Sequence, residues 1–253
     1  MNWLWFHKLA SPPYAYAVAR RFRPWLLWPA LLLMGWAAYA GLFVVPPDYQ
    51  QKDAYRIIFV HVPSASMSLI IYSIMAVSSA IGLIWRMKLA HAVAAACAQA
   101  GTVFTVLALA TGSIWGRPMW GAWWAWDPRL TSELILLFLY LGYMALRASF
   151  DDIGRADRAC AVLAIVGVVN VPIIHYSVVW WNSLHQGTTL SIFGKSAIDP
   201  SMVTPLLAML LAFALYFAAI LCDGVCAEIL RRERNAQWLT KLEPIKQGSL
   251  KAA

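Results

Sequence analysis

Long apolar runs dominate this chain, and polar residues gather between them rather than alternating within them. Six runs approach the roughly 20 residues that cross a hydrocarbon layer at about 1.5 Å per residue. They span Pro24–Val45, Pro63–Trp85, Leu89–Thr111, Leu130–Ala148, Ala159–Trp181 and Pro200–Asp223. A soluble helix would carry a polar face, and these runs carry none. The pattern predicts an all-α polytopic membrane protein of six transmembrane helices. It forms one integral domain: an interfacial segment over 1–23, a six-helix bundle over 24–223 and a basic tail over 224–253.

Composition agrees with the pattern. Hydrophobic residues make up 61% of the 253 residues and charged residues 13%, far from the soluble balance. The N-terminal Trp3, Trp5, His7 and Lys8, followed by Pro12 and Pro13, lack the apolar core and small-residue cleavage site of a signal peptide. They read as an interfacial anchor.

The formal net charge of +8 gains meaning from its placement. With the N-terminus inside, fifteen basic residues fall on the inner side and five (Lys52, Arg56, Arg117, Arg129 and Lys195) on the outer side. The asymmetry follows the positive-inside rule and predicts both termini in the cytoplasm. It is a signal of topology and of attraction to anionic lipid, not of nucleic acid. Cys97, Cys160, Cys222 and Cys226 all fall in the inner half, and their spacing matches no redox or haem-attachment motif. No phosphate-binding glycine loop occurs. The segment Arg231-Arg232-Glu233-Arg234 is a candidate contact for a cytoplasmic partner or for headgroups.

Candidate chemistry lies in three outer loops, Pro46–Val62, Gly112–Arg129 and Asn182–Asp199. The second packs five of fourteen tryptophans, Trp115, Trp120, Trp123, Trp124 and Trp126, into twelve residues. A short helix between Gly121 and Pro128 would put Trp120, Trp123, Trp124 and Asp127 on one face. Such a shelf of rigid indoles suits a flat, polarisable ligand such as haem. His61, just before Pro63 as the expected first helical residue of its span, and His185, just after the fifth span, offer imidazoles on the same side. Arg56, Arg117 and Arg129 lie there too, to meet propionates or to pair with Asp53 or Asp127. His7 and His91 fall inside, and His175 lies within the fifth span. No Asp, Glu, Lys or Arg stands in the middle of a span, which disfavours a permease.

The run Trp115-Gly116-Arg117-Pro118 followed by Trp120-Gly121-Ala122-Trp123-Trp124-Ala125-Trp126-Asp127-Pro128-Arg129-Leu130-Thr131-Ser132 resembles the WWD signature of haem-handling membrane proteins. Length, span count and the flanking histidines resemble the cytochrome c maturation protein C (CcmC) family across the whole chain. The resemblance implies a haem-binding and haem-delivery subunit, not an enzyme, holding haem b at the periplasmic face. It implies work beside CcmA and CcmB of an ABC-type complex, with CcmD, and delivery to the haem chaperone CcmE. His61 and His185 would be the axial ligands and the tryptophan-rich motif, with Asp127, the haem-binding surface. A b-type electron carrier or quinone oxidoreductase subunit is the alternative. It needs histidines paired on facing spans, where this chain has His175 alone.

Overall fold

The computed structural model describes residues 11–185, 187 and 198–240. The N-terminal anchor residues Trp3, Trp5, His7 and Lys8, together with Lys195, Lys241, Lys246 and Lys251, lie outside the described residues.

Six helical segments are long and apolar enough to cross a membrane, as the pattern predicts. In chain order the α-helices are α1 (Pro12–Tyr39), α2 (Ile58–Trp85), α3 (Lys88–Trp120), α4 (Pro128–Ala148), α5 (Ile153–Gly167), α6 (Asn170–Trp180), α7 (Pro200–Arg232) and a short α8 (Gln237–Thr240). A π-helical turn, Ala40–Val44, prolongs α1, and a 3₁₀ turn, Asp53–Ile57, leads into α2. The helix pair α5 and α6 together makes the fifth span, Ile153–Trp180.

Several helices outrun their apolar runs. Helix α1 begins at Pro12 and continues through Pro24 and Pro29. Tertiary neighbours can supply what a proline removes from a membrane helix. At 33 residues, this first span measures about 50 Å, so its basic first turns project past an apolar layer of about 30 Å. Helix α2 does not start at Pro63. It starts at Ile58, because the preceding turn buries Tyr55 and Phe59 against Val45, Met202 and Leu206. Helix α3 does not stop at Thr111 but runs to Trp120, where Gly121 takes the left-handed conformation (φ 77°) that closes helices.

The core lies where α2, α3, α4 and α7 meet, around Ile71, Met75, Cys97, Leu136, Tyr140 and Phe213. Helix α1 packs chiefly along α7. Its start meets the end of that helix: Arg23 Nε donates to Asp223 Oδ2 at 2.9 Å, and the Tyr16 and Trp238 rings lie 5.8 Å apart.

The same end of the bundle holds a buried ion network. Arg147 of α4 pairs with Asp157 of α5 at 2.8 Å and with Glu228 of α7. Arg232 pairs with the same two acids, at 2.7 and 2.6 Å. Arg231 also pairs with Glu228, at 2.8 Å, but its side chain remains half exposed at this end of the bundle.

Candidate functional site

The tryptophan end of the bundle holds a recess lined by His61, Trp115, Trp120, Arg129, Glu133 and His185. Four pieces of chain build it: the first turns of α2, the last turns of α3, the first turns of α4, and the segment after α6. Each contributes a side chain the sequence singled out or overlooked.

His61 sits on α2, one turn into the helix rather than on a loop. Its Nδ1 lies 3.1 Å from the Ala108 carbonyl and 3.0 Å from Thr111 Oγ1, both on α3. A carbonyl only accepts, so Nδ1 carries the proton and Nε2 keeps its lone pair in the neutral ring. Outer contacts of this kind fix the orientation of a metal-binding imidazole. Gly112 makes room for the ring, since a Cβ there would stand 3.1 Å from His61 Cε1.

His185 comes to the same recess from the other side. Its ring centre is 6.0 Å from that of His61, with the two planes 33° apart. Metal–imidazole bonds of about 2 Å place two opposed ring centres roughly 6 Å apart, so this separation matches a pair sharing one metal ion. Trp115 and Trp120 flank the pair, with ring centres 6.2 and 6.5 Å from His185 and 5.1 Å from each other. Trp115 is fixed from behind by its Nε1, which donates to Gln51 Oε1 at 2.9 Å.

The five tryptophans do not form one shelf. No helix spans Gly121–Asp127, which is an irregular connection. Because α3 continues to Trp120, Trp115 and Trp120 belong to its last turns and face the recess, whereas Trp123 and Trp126 stand 59% and 78% exposed on the connection. Trp124 packs edge-on against Trp126 at 5.7 Å.

Asp127 is buried and works as a clasp. One carboxylate oxygen caps α4 by accepting from the Arg129 backbone at 2.9 Å. The other accepts from the Leu184 backbone at 2.7 Å, one residue before His185. The second contact joins residues 57 positions apart, which no local spacing announces.

The arginines divide similarly. Arg129 lines the recess, and its guanidinium reaches the Ile174 carbonyl at 3.3 Å. Arg56 lies away from it, bonded to Asp53 at 2.9 Å and to the Gly41 carbonyl at 2.8 Å. Arg117 is exposed and donates to the Gly121 carbonyl. His175 faces outward, edge-on to Tyr176 at 4.7 Å.

Glu133 went unnoticed in the sequence. It is buried on the floor of the recess, one turn after Arg129, with Ser68 Oγ donating to its Oε1 at 2.6 Å. Its place in the run Arg129-Leu130-Thr131-Ser132-Glu133, inside a predicted span, was the available signal, because ionisable residues at membrane depth mark function.

Comparison with known proteins bears on this geometry. The family model of heme exporter protein C matches residues 5–240. The chain belongs to the heme exporter protein C family. A heme exporter protein C of Escherichia coli strain K12 is 48% identical over 240 residues, covering 95% of this chain and 97% of the relative. The Haemophilus influenzae member is 40% identical over 240 residues, covering 95% and 98%. The Bradyrhizobium diazoefficiens member is 46% identical over 224 residues, covering 88% and 85%. Both site histidines, all five motif tryptophans and Asp127 fall within the span matched by the heme exporter protein C family.

Proposed function

We propose that this chain is the haem-binding and haem-delivery subunit of a cytochrome c maturation system. It holds haem b at the periplasmic face of a bacterial inner membrane, with both termini in the cytoplasm. It presents the cargo to the periplasmic chaperone CcmE, beside CcmA, CcmB and CcmD, and performs no turnover chemistry. One observation carries the reading: two imidazoles of separate elements face each other 6.0 Å apart against two tryptophans. The relatives named heme exporter protein C support it.

In this reading His61 and His185 supply neutral nitrogen donors to the haem iron. Trp115 and Trp120 supply apolar contact to the macrocycle. Arg129 is the arginine placed to meet a propionate carboxylate. The outward orientation of His175 speaks against a b-type electron carrier, which would need it paired inside the bundle.

The absorption spectrum of the purified protein tests the proposal. The expected spectrum is six-coordinate and low-spin. His61→Ala or His185→Ala should move it toward high-spin, and imidazole should partly restore it. If the double substitution leaves haem content and spectrum unchanged, the ligand assignment is wrong.

A further inference from the structure

We propose that Asn170 is a positioning residue for His185, acting through an arm that turns about a break in the fifth span. The arm comprises α6 and the following Trp181–His185. The inference deepens the haem reading and rests on it.

The break centres on Pro172. Pro172 has no N–H, so the Val168 carbonyl lacks its helical donor four residues on. The Val171 N–H takes that carbonyl instead, at 3.0 Å, and the Val169 N–H bonds to the Val166 carbonyl at 3.4 Å. Both bonds close over three residues, the tightened turn that marks hinges in long helices. Backbone irregularity at membrane depth is tolerated where protein packs against it, and here the start of α4 covers the side of the break that carries Asn170, while Val169 stays exposed. Asn170 is buried at the break, and its Nδ2 donates to the Ser132 carbonyl at 2.9 Å.

A second observation sits on the opposite side of the break. The Tyr72 hydroxyl is buried and has no hydrogen-bond partner among the described residues. It lies against Gly167, where any Cβ would collide with it. A buried donor without a partner is costly, and this one stands against the last residue of α5.

The two histidines are mounted differently. His61 is on the continuous α2, braced by α3. His185 is at the tip of the arm, beyond the eleven residues of α6, about 16 Å of helix. Among the described residues three side-chain hydrogen bonds tie the arm to the start of α4. They join Asn170 to Ser132, Arg129 to Ile174, and Asp127 to Leu184. Asn170 is the one at the pivot and touches nothing in the recess. Rotation at Val168–Val169 withdraws His185 and opens the site, while His61 stays.

The test uses the full-length protein purified with its copurified haem, wild type against Asn170→Ala and Pro172→Ala. Absorption spectra report coordination, and transfer to excess apomyoglobin reports the dissociation rate. Losing the pivot bond should speed dissociation about tenfold, the scale of one buried hydrogen bond, with a rise in the high-spin fraction that imidazole reverses. Restoring a donor at 172 lets the helix run on, and dissociation should become slower than in the wild type. Shifts of opposite sign support the arm, because general loosening would move both variants the same way. Unchanged rates, or acceleration in both, overturn it. If Asn170→Ala fails to accumulate, Pro172→Ala decides: slower dissociation supports the arm, and unchanged or faster dissociation overturns it. A wild-type protein without a low-spin haem spectrum would instead overturn the haem reading itself.

Discussion

Thr111, Gly112 and Glu133 contribute as much to the site as several residues the sequence made conspicuous. Thr111→Val removes one of two partners of His61 Nδ1 and leaves the Ala108 carbonyl. Haem affinity should fall about tenfold, the low end for loss of an outer contact to a metal ligand, measured by haem titration of the stripped protein. The tryptophans should separate sharply. Trp115→Ala or Trp120→Ala should weaken retention by about 1–3 kcal/mol, read as haem occupancy after purification. Trp126→Ala, on an indole 78% exposed, should leave occupancy unchanged. Histidines and indoles were legible as chemistry because few residue types do what they do. Which indoles face the site was not legible, since that depends on where α3 ends. Arg56 shows the same limit: its partners, the Gly41 and Val45 carbonyls, come from a different element and leave no trace in local spacing.

Among the elements, the six spans were readable because apolar length is a one-dimensional property. The interruptions were not. Pro172 in the fifth span looked no different from Pro24 and Pro29, which α1 absorbs without a break. The difference lies in the Asn170 side chain and the α4 backbone beside it. At the head of α4, Asp127 serves two masters, and one substitution tells them apart. Asp127→Asn keeps an oxygen to cap the Arg129 N–H but turns an amide donor toward the Leu184 N–H. The cap should survive while the clasp on the His185 segment is lost, at a cost of about 1–3 kcal/mol. Unchanged helicity by circular dichroism with a rise in high-spin haem is the expected result. A variant that keeps the wild-type spectrum would show that the clasp does not govern His185.

At the scale of the molecule, the two ends of the bundle are built on different physics: aromatic contact and imidazoles at one, a buried ion network at the other. Arg232→Ala would leave Asp157 and Glu228 sharing Arg147, with Arg231 on the outer flank. Breaking a buried pair from one side typically costs about 3–5 kcal/mol, so the thermal midpoint in detergent should drop markedly while the haem spectrum of the folded fraction is preserved. Topology needs its own test, because Cys97 and Cys160 are fully buried and would resist a thiol reagent from either side. Cysteines placed at the exposed Trp126 and Asn235 are better reporters. On intact spheroplasts the first should react with an impermeant reagent and the second should not.

The pairing of α1 with α7 has a consequence for the order in which the protein is made. Arg23 and Asp223 are separated by 200 positions, so the first span leaves the ribosome long before the helix that covers it exists. Until Pro200–Arg232 is inserted, α1 must reside in the bilayer with its packing face turned to lipid. Its residence there is secured by the aromatic flank that remains exposed in the finished molecule, at Trp25, Trp28 and Trp36. A chain arrested before Pro200 would leave α1 without its mate, a natural substrate for membrane quality control.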